Sequence, residues 1–312
     1  MHDLILHHYP ASPFAEKARL LLGFKQLSWR SVTIPPVMPK PDLTALTGGY
    51  RRTPVLQVGA DIYCDTALIA RRLEAEKATP ALFPEGCEFV AAALAQWADT
   101  VLFLHAVSLV FQPESMAQRF AQVPKEFVQI FGKDRAQLFK GGTVAAIPLE
   151  QAKSHWPLLM ARLQQQLARE EGEFLLGDAP CIADFAVAHC LWFVRAAPAT
   201  APLVDGYPEV VAWLGKVLGV GHGSHSELSS DDALAIAREA TPAALPEAAF
   251  AEPNGFQPGQ RVTIAALDYG TDPVEGELLF AGAEELILRR EDERAGLVHV
   301  HFPRLGYRIE AC

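Results

Sequence analysis

Short apolar runs and amphipathic stretches alternate over the first part of the chain. Leu4-Ile5-Leu6 opens a run that reads as a buried strand, and Ser12-Pro13 then starts an amphipathic segment from Phe14 to Phe24, which predicts a helix begun by serine and proline. Leu27 to Ile34 carries the β-branched residues of a second strand, ended by Pro35, Pro36, Pro39 and Pro41, which impose a loop running to Arg52. Pro54 to Val58 and Ile62 to Cys64, joined by Gly59-Ala60-Asp61, predict a hairpin. Asp65 to Glu76 follows as a helix with apolar positions at Ala67, Leu68, Ala70 and Leu73. This alternation predicts a small α/β domain over residues 1–78.

Over residues 85–220 the apolar spacing turns helical almost throughout, with long segments at Cys87 to Phe111, Gln151 to Glu171 and Ile182 to Ala197, so an all-α domain is expected. Residues 221–254 shift to Gly, Ser and His and then to proline, and read as a linker holding a short helix near Asp231 to Ala240. Residues 255–312 return to short alternating segments, Arg261 to Ala265, Glu277 to Phe280, Glu285 to Arg289 and Leu297 to Phe302. They predict a β-meander whose simplest closure is a small barrel; in its strand rhythm this unit resembles small SH3-like or Tudor-like barrels.

The 312 residues, half of them apolar, suffice for two or three compact units. No stretch reaches the ~18–20 uninterrupted apolar residues of a membrane helix, and Met1-His2-Asp3 does not begin a basic region followed by an apolar one. A soluble, cytoplasmic protein without a membrane partner is expected. The five cysteines, Cys64, Cys87, Cys181, Cys190 and Cys312, are scattered without zinc-like spacing, so they are expected as free thiols in a reducing compartment with no metal. A net charge of −10 argues against nucleic acid as a partner.

Three helix or strand starts carry candidate chemistry. Ser12 places a hydroxyl beside the positive end of a helix dipole, where a bound thiol would ionise more readily. Lowering a thiol pKa from about 8.5 by about two units takes roughly 2.7 kcal/mol, an amount that one hydroxyl hydrogen bond and a helix N-terminus can supply. The same Ser-Pro pair is also an ordinary way to begin a helix. Thr53-Pro54-Val55 stands at a strand start, where a cis peptide would turn the Val55 amide and carbonyl toward an extended peptide ligand, although proline at a strand start is common in itself. Asp65-Thr66 combines an acid, a hydroxyl and unpaired backbone amides, which suit the amine and carboxylate of a γ-glutamyl group or serve simply as a cap.

The runs SPFAEKARLLL from Ser12, TPVL from Thr53 and DTALIARRLE from Asp65, followed by GDAPCIADF from Gly177, resemble the glutathione S-transferase family over roughly residues 1–220. The resemblance implies a thioredoxin-like N-terminal domain on an all-α C-terminal domain of the glutathione S-transferase type, a homodimer, and glutathione as co-substrate. It implies that Ser12 activates the glutathione thiol, with Tyr9 as the alternative. Val55, after Pro54, would hold the cysteinyl backbone, and Asp65 with Thr66 the γ-glutamyl end. Asp184 would frame a buried helix start, capped by Cys181 where Ser or Thr is usual.

Arg51-Arg52 is a candidate partner for the glycyl carboxylate, or a solvated basic turn. Asp65 is one methylene shorter than the Glu or Gln of many relatives. An acceptor site between the domains would use Phe103, His105 and Phe111, with Pro113 to Gly142 as an extra helix or lid. The implied activity is attack of the thiolate on a small, largely apolar electrophile. A glutathione-dependent isomerase, dehalogenase, ether-cleaving enzyme or disulfide reductase stands beside it, as does a non-catalytic glutathione-binding or protein-interaction protein. The C-terminal strands are expected to serve as a dimer or domain contact or as a cover for the cleft, with His299 and His301 on a solvated strand face and Asp268-Tyr269-Gly270 in a turn.

Overall fold

Leu4, Ile5 and Leu6 leave no polar face, the pattern of a strand covered on both sides. In the computed structural model, which describes residues 3–169 and 172–312, they form β1 (Leu4–His8), an inner strand of the sheet. The chain crosses through α1 (Pro13–Phe24) to β2 (Ser28–Thr33), which lies parallel to β1. The proline-rich stretch expected as a loop contains α2 (Pro41–Thr47). Pro41 begins that helix because its missing N–H is one that a first turn leaves unpaired anyway. The hairpin of β3 (Val55–Val58) and β4 (Asp61–Cys64) continues the sheet on the other side of β1, and α3 (Thr66–Glu76) follows.

The helical region opens with one unbroken helix over Glu88–Val110, made of α4 (Glu88–Trp97), a π-helical turn (Ala98–Leu102) and α5 (Phe103–Val110). By length and composition this helix is apolar enough to cross a membrane, although Glu88 and Asp99 interrupt its apolar run. Its inner face lies in the protein core, where Ala91, Ala98, Leu102, Ala106 and Leu109 are buried. Next come α6 (Pro113–Arg119), α7 (Lys125–Leu138) and α8 (Leu149–Leu167); α8 ends at Leu167 with Ala168 as its C-cap, short of the expected end, and the last two residues of the expected helix, 170 and 171, fall outside the described residues. Buried α9 (Ile182–Arg195) is the hub of this layer, followed by α10 (Pro202–Asp205) and α11 (Pro208–Gly219). Asp184 sets the start of α9: its Oδ2 accepts from the Cys181 amide at 2.9 Å, and its Oδ1 from the Leu175 amide at 2.9 Å and Trp213 Nε1 at 2.8 Å.

The stretch read as a linker contributes structure to the sheet. β5 (Ser224–Glu227) pairs parallel with β2, and α12 (Ser230–Glu239) packs on α2 and on the strands beyond. The C-terminal strands β6 (Arg261–Ala266), β7 (Val274–Ala281), β8 (Glu285–Asp292) and β9 (Gly296–Pro303) form an antiparallel meander, and β10 (Tyr307–Ala311) returns to pair with β6. This strand-rich unit joins the first domain, because β9 pairs parallel with β4 in the register Asp61↔His299, Ile62↔Val300 and Tyr63↔His301. One ten-stranded sheet results, in the order β10-β6-β7-β8-β9-β4-β3-β1-β2-β5. Ile5, Val55 and Ile62 share a single apolar core with Val262, Leu288 and Val300.

His301 closes this seam and is buried, not on the solvated face expected for it. Its Nε2 stands 3.0 Å from Asp61 Oδ1, its Nδ1 3.2 Å from Glu285 Oε2, and its ring stacks on Tyr63 at 4.3 Å. Two carboxylates facing both ring nitrogens select the imidazolium, the one form that donates twice. Burial disfavours that charge, but the bonds to Asp61 and Glu285 outweigh it and hold the pKa above the ordinary histidine value. A pKa raised on folding adds stability that is full below the unfolded value of about 6.5 and fades as pH rises through the folded one. Urea melts should therefore find His301→Gln less stable than the native protein by about 1–2 kcal/mol near pH ~6, with the gap shrinking toward pH ~9. An identical gap at both pH values would mean that the ring is held neutral.

Candidate functional site

Ser12 ends the β1–α1 connection with an extended backbone, and its Oγ caps α1 by accepting from the Ala15 amide at 3.2 Å. Among the described residues this is the hydroxyl's sole hydrogen bond, so its proton remains available for donation. The residue is 3 % exposed and lines, with Tyr9, a cavity of about 690 Å³ between the first domain and the helices. The positive end of α1 and an uncommitted O–H thus converge on one side of this cleft.

Asp65 caps α3 with φ +75°, a left-handed conformation unusual for a residue with a side chain. Three contacts fix it there. Its Oδ1 accepts from the Ala67 amide at 3.0 Å, and its Oδ2 from the Tyr307 hydroxyl at 3.0 Å and from Arg52 Nη1 at 3.4 Å. Pro54, whose peptide bond with Thr53 is cis, lines a second cavity of about 120 Å³ together with Asp65, Thr66, Gln96 and Asp99. Asp99, in the π-helical turn, is held from below by Lys17 Nζ at 2.5 Å and His189 Nε2 at 2.9 Å. Its carboxyl pKa is lowered, because Lys17 and His189 outweigh the effect of burial.

The strand-rich unit reaches into this cleft. Tyr269, in the turn after β6, lines both cavities and stacks on Phe139 at 4.9 Å, while Arg52 lies 4.2 Å over its ring. Arg52 donates to the Tyr269 carbonyl through Nε at 3.0 Å and forms ion pairs with Asp268 and Asp65. The segment after α7 grips the same turn: Gly270 donates to Leu138 O at 2.6 Å, and Thr143 to Leu267 O at 2.9 Å. Gly142 has to lack a side chain here, since a Cβ would fall 1.6 Å from Asp268 O.

A cluster of cations occupies the other wall. Arg51 Nη2 binds Asp134 Oδ1 at 2.8 Å, and Arg135 pairs with the same carboxylate. Lys40 is 4 % exposed and donates to Thr53 Oγ1 at 2.9 Å, but no described carboxylate lies within ion-pair distance of it. Burial first, then the neighbouring Arg135 and Arg51 charges, push its pKa down to about 8, with Asp134 offsetting part of the shift. No motif along the chain marks Lys40, because its burial and the Asp134 and Arg135 charges on α7 come from parts of the chain that only folding brings to it.

Of the residues singled out by sequence, Ser12, Tyr9, Arg52, Phe103 and Phe111 line the larger cavity, and Arg52, Pro54, Asp65 and Thr66 the smaller one. Val55 is fully buried behind Pro54. His105 does not join them: its Nδ1 faces Val101 O at 2.8 Å and its Nε2 faces His155 Nδ1 at 3.1 Å, on the side of α5 turned toward α8. The bond between its ring and the carbonyl four residues earlier points the side chain that way. Residues 113–142 fold as α6 and α7 and roof the cavity with Phe120, Phe127 and Phe131.

Residues 6–81 match the glutathione S-transferase N-terminal domain and residues 149–216 the glutathione S-transferase C-terminal domain. A GST-like protein from Pseudomonas syringae of known crystal structure is 61 % identical, with all of both chains covered and a TM-score of 0.85. The chain therefore belongs to the glutathione S-transferase family. A glutathione S-transferase from Rhodospirillum rubrum F11 shares the fold at 19 % identity, covering 69 % of this chain and 87 % of its own, with a TM-score of 0.52. A glutathione S-transferase domain-containing protein from Marinobacter aquaeolei VT8 does so at 18 % identity, covering 69 % and 97 %, with a TM-score of 0.50. Among curated proteins no sequence matches the chain.

Proposed function

We propose that the protein binds glutathione across the two cavities and activates its thiol at Ser12 for attack on an apolar electrophile. The observation that carries this reading is the Ser12 hydroxyl, which caps α1 with its oxygen yet keeps its proton, on the wall of an aromatic cavity. That O–H would donate to the thiolate, and the α1 N-terminus would add its partial charge. The thiol proton passes to solvent, a carbon–sulfur bond forms, and the bond from that carbon to its leaving group breaks with the electron pair departing on the leaving group. Tyr9, on the same wall, is the alternative donor.

Asp65 and Asp99 offer carboxylates to the γ-glutamyl amine, and Thr66 with the first amides of α3 offers donors to its carboxylate. Pro54 and Val55 are assigned to the cysteinyl backbone. For the glycyl carboxylate we assign Lys40, because its charge has no acid partner while Arg52 is committed to Asp268 and Asp65. A second reading, a glutathione-binding or protein-interaction protein without turnover, is favoured by the position of Tyr269 between the two cavities that one glutathione would span. The five free thiols support a reducing, cytoplasmic setting. A homodimer is supported by the outer face of α4, where Phe89 is 84 % exposed and Leu305, 71 % exposed, lines the same groove of about 540 Å³.

Three measurements bear on these assignments. Ser12→Ala should leave glutathione affinity within about threefold while lowering turnover of an aryl halide about a hundredfold; unchanged turnover would move the role to Tyr9. S-methylglutathione, which carries no titrating thiol, should bind more weakly as pH rises through about 8, the value at which Lys40 loses its charge. Lys40→Met should weaken that binding about tenfold below pH ~8 and flatten the profile, whereas a native-like profile in the variant would remove Lys40 from the site. Sedimentation equilibrium should return twice the 34.0 kDa chain mass, and Phe89→Glu should return the single mass; a native monomer would end the dimer assignment.

A further inference from the structure

The chain carries a net charge of −10, yet the larger cavity is lined by five cations, Lys40, Arg51, Arg52, Arg119 and Arg135, and among the described residues by no Asp or Glu. Three of the five are neutralised within the protein: Arg52 by Asp65 and Asp268, and Arg51 and Arg135 by Asp134 together with Asp272, which stands 3.9 Å from Arg51 Nη1. Lys40 is the partner assigned above to the glycyl end of glutathione. Arg119 is left over.

Arg119 ends α6, half-buried at the aromatic part of the cavity. Its guanidinium lies 4.8 Å over the Phe193 ring, and its Nη1 donates to Phe193 O at a long 3.4 Å. No described carboxylate stands within ion-pair distance, and the rest of its N–H fork has no bond among the described residues. Burial alone lowers its pKa, with no neighbouring charge contributing. Phe111, Phe120, Phe131 and Trp192 enclose the space beside it.

The cation and its surroundings select a ligand by chemistry. A neutral hydrophobe would finish desolvating Arg119 without giving it a partner, and a cation would be repelled. A carboxylate can meet the free N–H groups in a bidentate pair, which the planar fork favours. A dianion would find one uncommitted cation and leave half its charge unmatched. We propose that the second ligand of the larger cavity is an apolar monocarboxylate whose anion rests on Arg119 and whose aryl or alkyl body lies among Phe111, Phe131 and Phe193. The proposal names the class of acceptor and rests on reading this cavity as the acceptor site.

The test is calorimetric titration of the full-length protein with 4-phenylbutyrate and with its neutral amide, repeated for Arg119→Lys and Arg119→Met, with a separate titration of S-methylglutathione. The acid should bind at least about tenfold more tightly than the amide. Arg119→Lys should keep most of that advantage and Arg119→Met should abolish it, while amide affinity, which reports an intact cavity, stays unchanged. Equal affinity of acid and amide in the native protein would overturn the proposal. So would an acid preference that survives Arg119→Met but disappears in Lys40→Met. If S-methylglutathione fails to bind while the Arg119-dependent acid preference holds, the glutathione reading falls and, with it, the acceptor role, while the monocarboxylate site at Arg119 stands. Binding of S-methylglutathione without any acid preference gives the reverse.

Discussion

The pairing of β4 with β9 is the constraint on which the rest of this architecture depends. Left alone, β4 would be the open edge of a thioredoxin-like sheet, a row of unpaired backbone groups that proteins ordinarily protect. Here the edge is taken by a strand from the end of the chain, and a core shared by Ile62, Val300 and Leu288 backs the ladder. A short parallel ladder contributes little by itself, so the imidazolium of His301 between Asp61 and Glu285 acts as a polar lock that also fixes the register. A one-residue slip would carry His301 away from Asp61 and turn Val300 to the wrong face.

Seating the C-terminal strands in this way determines what the cleft can be. Tyr307 arrives on Asp65, Asp268 on Arg52, and Tyr269 between the two cavities. The positive φ of Asp65 is thereby held by contacts from a unit more than two hundred residues away in sequence. Arg52 is converted from a basic turn residue into a bridge between domains. The electrostatic result is unusual for an acidic chain: the acids that neutralise the cleft's cations are spent on Arg51, Arg52 and Arg135, leaving Lys40 and Arg119 with charge to offer. In a desolvated setting such charges interact with an anion far more strongly than they would in water.

Ser12 shows that capping a helix and serving a ligand are compatible uses of one hydroxyl. A serine oxygen has two lone pairs and one proton. The bond from the Ala15 amide uses the oxygen as acceptor, positions the side chain against the cavity wall, and leaves the donor free. The structural role therefore fixes the rotamer from which a chemical role can operate.

By itself the sequence determined what local periodicity and short motifs control. The α/β order of the first domain, the helical middle and the C-terminal meander could be read because strand and helix spacings are properties of neighbouring residues. Ser12 and Asp65 could be read as helix starts for the same reason, since a cap is decided within four residues, and Asp184 was implied by the family resemblance. The short helix at Pro41 was missed because proline breaks a helix or begins one, and the residues alone did not say which. Tertiary structure alone decided that the last strands extend the first sheet, that His301 is buried between two acids and that His105 turns away from the cleft. It also decided that Tyr269 divides the cleft and that Lys40 and Arg119 keep their charges without partners. Each of these depends on which side chains meet across long separations, and no spacing along the chain encodes the position of a carboxylate in space.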